Sequence, residues 1–137
     1  MRWALIGVAL IVAAAGAQAT RTVWDGVYTE EQASRGEALY GERCVRCHGT
    51  TLAGGTDGAG PLVGPTFQGN WNGVTLGAMV DRIRSSMPLD KPMSLSRQQT
   101  ADLVAYILSA NKFPAGKAEL ARQAEILNQI EFKATRP

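Results

Sequence analysis

A glycine-rich stretch limits most strongly what this chain can fold into. Between Gly49 and Gly73 it carries Gly54, Gly55, Gly58, Gly60, Gly64 and Gly69, with Pro61 and Pro65 among them. Loops this long are uncommon in compact domains and are usually functional or disordered. At 137 residues, 45% apolar and 19% charged, the chain suits one globular domain. Such a domain buries more than about 60% of its unfolded surface. The stretch offers few large side chains toward that, so the composition predicts that something other than protein fills the middle.

The flanking segments read as helices. Thr29-Glu30-Glu31-Gln32 has the form of a capping box and predicts a helix to about Cys44, with Ala33, Gly36 and Tyr40 on one face. Thr75 to Arg84 places Leu76, Met79, Val80 and Ile83 on an inner face. Ser96-Arg97-Gln98-Gln99 offers a second box, opening a helix to about Asn111 that buries Ala101, Val104, Ala105 and Leu108. Phe113-Pro114-Ala115-Gly116 stops it, and Leu120, Ala124, Leu127 and Ile130 predict a terminal helix over about 117–132. No run alternates strictly enough for a sheet. The fold class is all-α, with three to four short helices.

Cys44-Val45-Arg46-Cys47-His48 says what fills the middle. C-x-x-C-H is the attachment signature of c-type haem. Residues i and i+3 lie about one helical turn apart, so two thiols reach two vinyl groups along one haem edge, and the next residue turns its imidazole under the iron. Two cysteines and one histidine fall into this string in roughly one of ten thousand arrangements of this composition. The rival uses fit less well. Zinc wants four ligands and only three soft candidates exist. A redox dithiol belongs in a βαβ context that is missing, and a structural disulfide leaves His48 unexplained.

The single histidine also excludes sites built on two or more imidazoles, such as a His₃ zinc centre or the facial iron triad. Bis-histidine ligation of the haem iron is therefore impossible. The sixth position falls to a methionine or stays open. Met79 sits at helical spacing and reads as core, Met93 lies in a turn, and Met87 is followed by a proline that stiffens its loop. Met87 is the expected ligand.

The first residues read as an address. Met1-Arg2 is positive, Trp3 to Gly16 is apolar, and Ala17-Gln18-Ala19 is a small-x-small cleavage site. The apolar run of about 15 residues falls short of the roughly 20 that span a bilayer. The expectation is a cleaved signal peptide over 1–19 and one domain over 20–137, working outside the cytoplasm, with an uncleaved membrane anchor as the alternative. The formal charge of +2 is too weak, and lacks the basic stripe, for nucleic-acid binding.

With these residues in place, the sequence resembles class I c-type cytochromes over about Thr29 to Gly116. Gly36 and Tyr40 match the family's helix-contact glycine and aromatic, which implies packing against Tyr106. Trp71, followed by Thr75-Leu76, resembles the tryptophan that bonds a haem propionate, and Met87-Pro88 resembles the methionine loop that supplies the sixth ligand. The family's Gly-Pro-x-Leu, whose proline carbonyl accepts from the proximal imidazole, reads here Gly60-Pro61-Leu62, one residue shorter. The carbonyl that orients His48 is then that of Gly60 or of Pro61. The nearest subgroup in appearance is the small periplasmic cytochromes that serve quinoprotein dehydrogenases.

The resemblance implies a cytochrome c fold around one covalent haem c, its iron held by His48 and Met87. It implies a periplasmic carrier of single electrons, whose partner is a redox protein such as a dehydrogenase or terminal oxidase. No nucleophile, acid–base pair or substrate pocket appears in the sequence, so no enzyme is expected. Two alternatives remain: a haem-based sensor with a labile sixth ligand, and an electron-entry subunit of a dehydrogenase complex. Arg46, Arg82 and Arg84 read as solvated surface charges.

Overall fold

The structure is a computed structural model that describes residues 21–55 and 57–137; the expected signal peptide over 1–19 lies outside them. Six helices follow in the order α1 (Glu30–Arg43), α2 (Val45–His48), α3 (Gly64–Trp71), α4 (Leu76–Ser86), α5 (Arg97–Ala110) and α6 (Ala124–Leu127). Two-residue strands at the ends, β1 (Arg21–Thr22) and β2 (Ile130–Glu131), pair in parallel with Arg21 opposite Ile130. Among the described residues the all-α expectation holds but for this clasp and an isolated bridge between Thr75 and Glu131. Among the described residues no helix is long and apolar enough to cross a membrane.

The longest helices are capped as their sequences require. Ser96 accepts from the Gln99 amide while the Gln99 side chain accepts from the Ser96 amide, a complete capping box at the start of α5. Thr29 caps α1 from one side only. Gln32, read as its reciprocal partner, instead buries its amide completely. Its Nε2 donates to the carbonyl of Leu120 and its Oε1 accepts from the Leu120 amide, at 3.1 and 2.6 Å. A side chain that would only have capped a helix end thus pins the C-terminal tail to α1.

That tail departs from expectation. The helix anticipated over about 117–132 is a single turn, α6. Leu120, Leu127 and Ile130 are buried, but their backbone groups answer to other elements: Leu120 to Gln32, and the chain beside Ile130 to β1. Phe132, fully buried, packs edge-on against Phe67 and Phe113. Tertiary hydrogen bonds here override a weak helical period.

The core lies between α1, α4 and α5. Ala101, Val104, Ala105 and Leu108 are completely buried on α5, as are Leu76, Met79 and Val80 to within 1% on α4. Gly36 faces the main chain of Asp102, and Tyr40 stacks obliquely on Tyr106 with ring centres 5.4 Å apart. The helix crossing that the resemblance implies is present, and it turns one end of the α1–α5 pair toward the glycine-rich segment.

Candidate functional site

Cys44 sits at the break between α1 and α2. Its amide donates back to Tyr40, closing α1, and its carbonyl accepts from the amides of Cys47 and His48, at 3.1 and 3.0 Å. One helical turn therefore carries both thiols and the imidazole, which is what i, i+3 attachment needs. Gly49, at φ +79°, ends the turn. The glycine-rich chain then folds back across it. A Cβ at Gly55 would overlap the Cys47 carbonyl, so glycine there lets the loop lie directly on the attachment turn.

His48 is oriented by that loop. Its Nδ1 lies 3.0 Å from the carbonyl oxygen of Gly60, a distance for Nδ1–H donating and Nε2 left free. Of the two carbonyls the shortened motif left open, Gly60 is the partner. Pro61 is not among the residues that line the adjoining cavity. Loss of one residue between proline and leucine moves the acceptor one position back.

The cavity has a volume of about 500 Å³, within the range of cofactor sites. Cys44, Cys47 and His48 border it from α2, Phe67 and Trp71 from α3, and Met79, Ile83 and Met87 from α4 and its end. Both cysteines are free thiols. Burial pushes the Cys44 thiol up to about 11, against the opposing pull of Arg43. Burial likewise pushes the Tyr40 phenol up to about 12. Its hydroxyl donates to the Gly49 carbonyl at 2.6 Å, tying α1 to the end of the attachment turn.

Of the three methionines among the described residues, two border the cavity. Met87 is the C-cap of α4, its amide donating to Ile83 at 2.8 Å, and it borders the cavity. Met93 is 68% exposed at φ +63° and is not among the lining residues. Met79 is 1% exposed and fills core, though it too reaches the cavity wall. Trp71 borders the cavity. Sequence reasoning missed Phe67 and the helix that carries it, α3, which begins at Gly64-Pro65 inside the supposed loop. Proline at a first helical position was the signal available.

Charges rim the opening. Arg46 reaches across to Asp90, Nη2 to Oδ2 at 2.9 Å, joining α2 to the loop after Met87; it is exposed but paired, not free in solvent. Arg82 borders the cavity, whereas Arg84 does not.

The donor set fits a c-type haem. Two free thiols one turn apart, an oriented imidazole, two methionines on the cavity wall and a mostly apolar lining all match that group. Among the described residues no cluster of three His, Cys, Asp or Glu could hold a bare metal ion.

Comparison with known proteins agrees. A family model described as cytochrome c oxidase, cbb3-type, subunit III matches residues 31–107, more than half of the chain. No curated protein matches. Among solved structures, the sulfane dehydrogenase SoxCD from Paracoccus pantotrophus contains a chain with the same fold, at TM-score 0.52 and 21% identity. The alignment covers 80% of this chain and 61% of that one.

Proposed function

The chain belongs to the cytochrome c family described as cbb3-type oxidase subunit III, and from that premise we propose that it is a periplasmic electron carrier with one covalent haem c, ligated by His48 and Met87. Family membership gives a haem c with its iron and a role in electron transfer. The single observation that carries the finer reading is the shared cavity: attachment turn, oriented imidazole and Met87 border one apolar space.

In this reading Cys44 and Cys47 anchor the group by thioethers, and His48 binds through Nε2 while Gly60 holds its other nitrogen. Haem iron in such a site supplies one-electron ferric–ferrous chemistry. Phe67, Ile83 and Leu62 keep water from the site, which lowers the local dielectric. In this reading the Trp71 indole N–H donates to a propionate, as the family resemblance implies. The chain turns over no substrate of its own. It exchanges electrons with a redox protein, a dehydrogenase or terminal oxidase, and the likeness to a chain of a dehydrogenase is compatible with that. Removal of residues 1–19 after export places the mature domain in the periplasm.

Visible spectra of the purified protein test this. A low-spin haem c spectrum, unchanged when the reduced protein is exposed to carbon monoxide, is the expected result. Ready carbon monoxide binding would favour a sensor with a labile ligand, and no haem at all would sink the reading.

A further inference from the structure

Asn111 ends α5 and is 8% exposed, and its amide uses every hydrogen-bonding position it has. Nδ2 donates to the carbonyls of Leu62 and Ile107, at 2.9 and 2.8 Å. Oδ1 accepts from the Gly64 amide and from Gln68 Nε2, at 3.1 and 3.2 Å. A leucine of similar size would fill the same space without burying an amide, so the polar choice calls for a reason.

The reason lies in what the amide holds. The segment 58–64 contains Gly58, Gly60 and Gly64, and it has few side chains of its own to fix its course. Leu62 is gripped on both sides: its amide donates to Leu52 at 2.7 Å and its carbonyl is taken by Asn111. Two residues earlier stands the Gly60 carbonyl, 3.0 Å from His48 Nδ1. We infer that Asn111 is a positioning residue for His48: by clamping Leu62 and Gly64 it aims the Gly60 carbonyl, and so sets the orientation and basicity of the imidazole. This rests on the reading of His48 as an iron ligand.

The direction of the effect follows. A firm bond from Nδ1–H makes the imidazole a stronger donor, which favours ferric iron. Loosening the clamp weakens that bond and shifts the balance toward ferrous iron.

The test uses the holoprotein with Asn111→Leu, and with Asn111→Ala, whose vacated space water can enter should the leucine variant fail to fold. Gln68→Ala is the control, since it removes one contact of Asn111 without freeing Leu62. The Asn111 variants are expected to favour the ferrous form about threefold, a rise of about 28 mV at 59 mV per tenfold for one electron. The His48 Nδ1–H resonance of the ferrous protein should move with it, and the Gly64 amide should exchange at least tenfold faster. Gln68→Ala should leave potential and resonance in place. Faster Gly64 exchange with an unmoved potential and resonance would overturn the inference, as would an equal shift in Gln68→Ala. Failure of the underlying reading shows separately, as a wild-type protein without histidine-ligated haem.

Discussion

Gly36 on α1 lies against the main-chain carbonyl of Asp102 on α5, so closely that a Cβ added there would overlap it and press on Tyr106. Glycine inside a helix costs about 0.5–1 kcal/mol against alanine. The close crossing it allows outweighs that cost. Gly36→Ala should therefore destabilise the holoprotein, by about 1–3 kcal/mol of overpacking. Thermal unfolding should fall by roughly 4 °C per kcal/mol for a domain of this size. An unchanged or raised Tm would show that the helices can separate freely.

The attachment turn makes a second prediction. With Cys44 and Cys47 on one turn beside the cavity, the iron should stay with the polypeptide through acid–acetone extraction and denaturation. Cys47→Ala should cost much of the holoprotein yield, since one thioether cannot fix the haem plane as two do. Transfer of all the haem to the organic phase would refute covalent attachment.

Ligation can be separated among the three methionines of residues 20–137. The oxidised protein should show the weak red charge-transfer band of methionine–iron ligation, and Met87→Ala should abolish it. Met93, 68% exposed, should be dispensable, and Met79→Ala should cost stability without removing the band. A buried methionine cut to alanine typically loses about 2–5 kcal/mol. The thioether favours ferrous iron, so Met87→Ala should also lower the potential. Disappearance of the band in Met93→Ala alone would overturn the assignment.

What could be read from the residues is what is local in sequence. Cys44 to His48 and Ser96 to Gln99 each carry their chemistry within five residues, so spacing alone conveys it. Gly36 and Tyr106 became a pair through resemblance, and the structure joins their helices. The misses involve partners far along the chain. Arg46 finds Asp90 across 44 residues, and Gln32 abandons its cap for Leu120 across 88. The start of α3 at Gly64-Pro65 was submerged among glycines that elsewhere do form loop. The tail had the right apolar spacing for a helix, yet its backbone bonds went to β1 and α1.

The Arg46–Asp90 pair spans the cavity mouth, but both side chains are mostly exposed, at 78% and 65%. Exposed pairs typically contribute about 0–1 kcal/mol and weaken with salt. Asp90→Asn should lower stability by less than about 1 kcal/mol at low salt, with the difference vanishing near molar salt. A larger loss, insensitive to salt, would mean that Asp90 has a buried role.

Alkaline pH should test the burial of the tyrosines. The chain has three tyrosines, and all three phenols are raised above the ordinary value near 10. Burial is the largest cause in each; Glu37 adds to it at Tyr106. Tyr40 goes highest, to about 12. A raised phenol pKa favours the protonated, folded form. The stability it represents is fully present below about pH 10, where unfolded tyrosines ionise, and is lost as pH climbs toward 12. Tyrosinate absorbance in the folded protein should therefore show no component at or below pH 10. Tyr40→Phe keeps the ring but gives up the bond to Gly49, which should cost about 0.5–1.5 kcal/mol at neutral pH. Because phenylalanine cannot ionise, the gap between variant and wild type should narrow between pH 10 and 12 in denaturant titrations. A gap that widened with pH would mean that the Tyr40 phenolate is better accommodated in the folded state than in water, contrary to its burial.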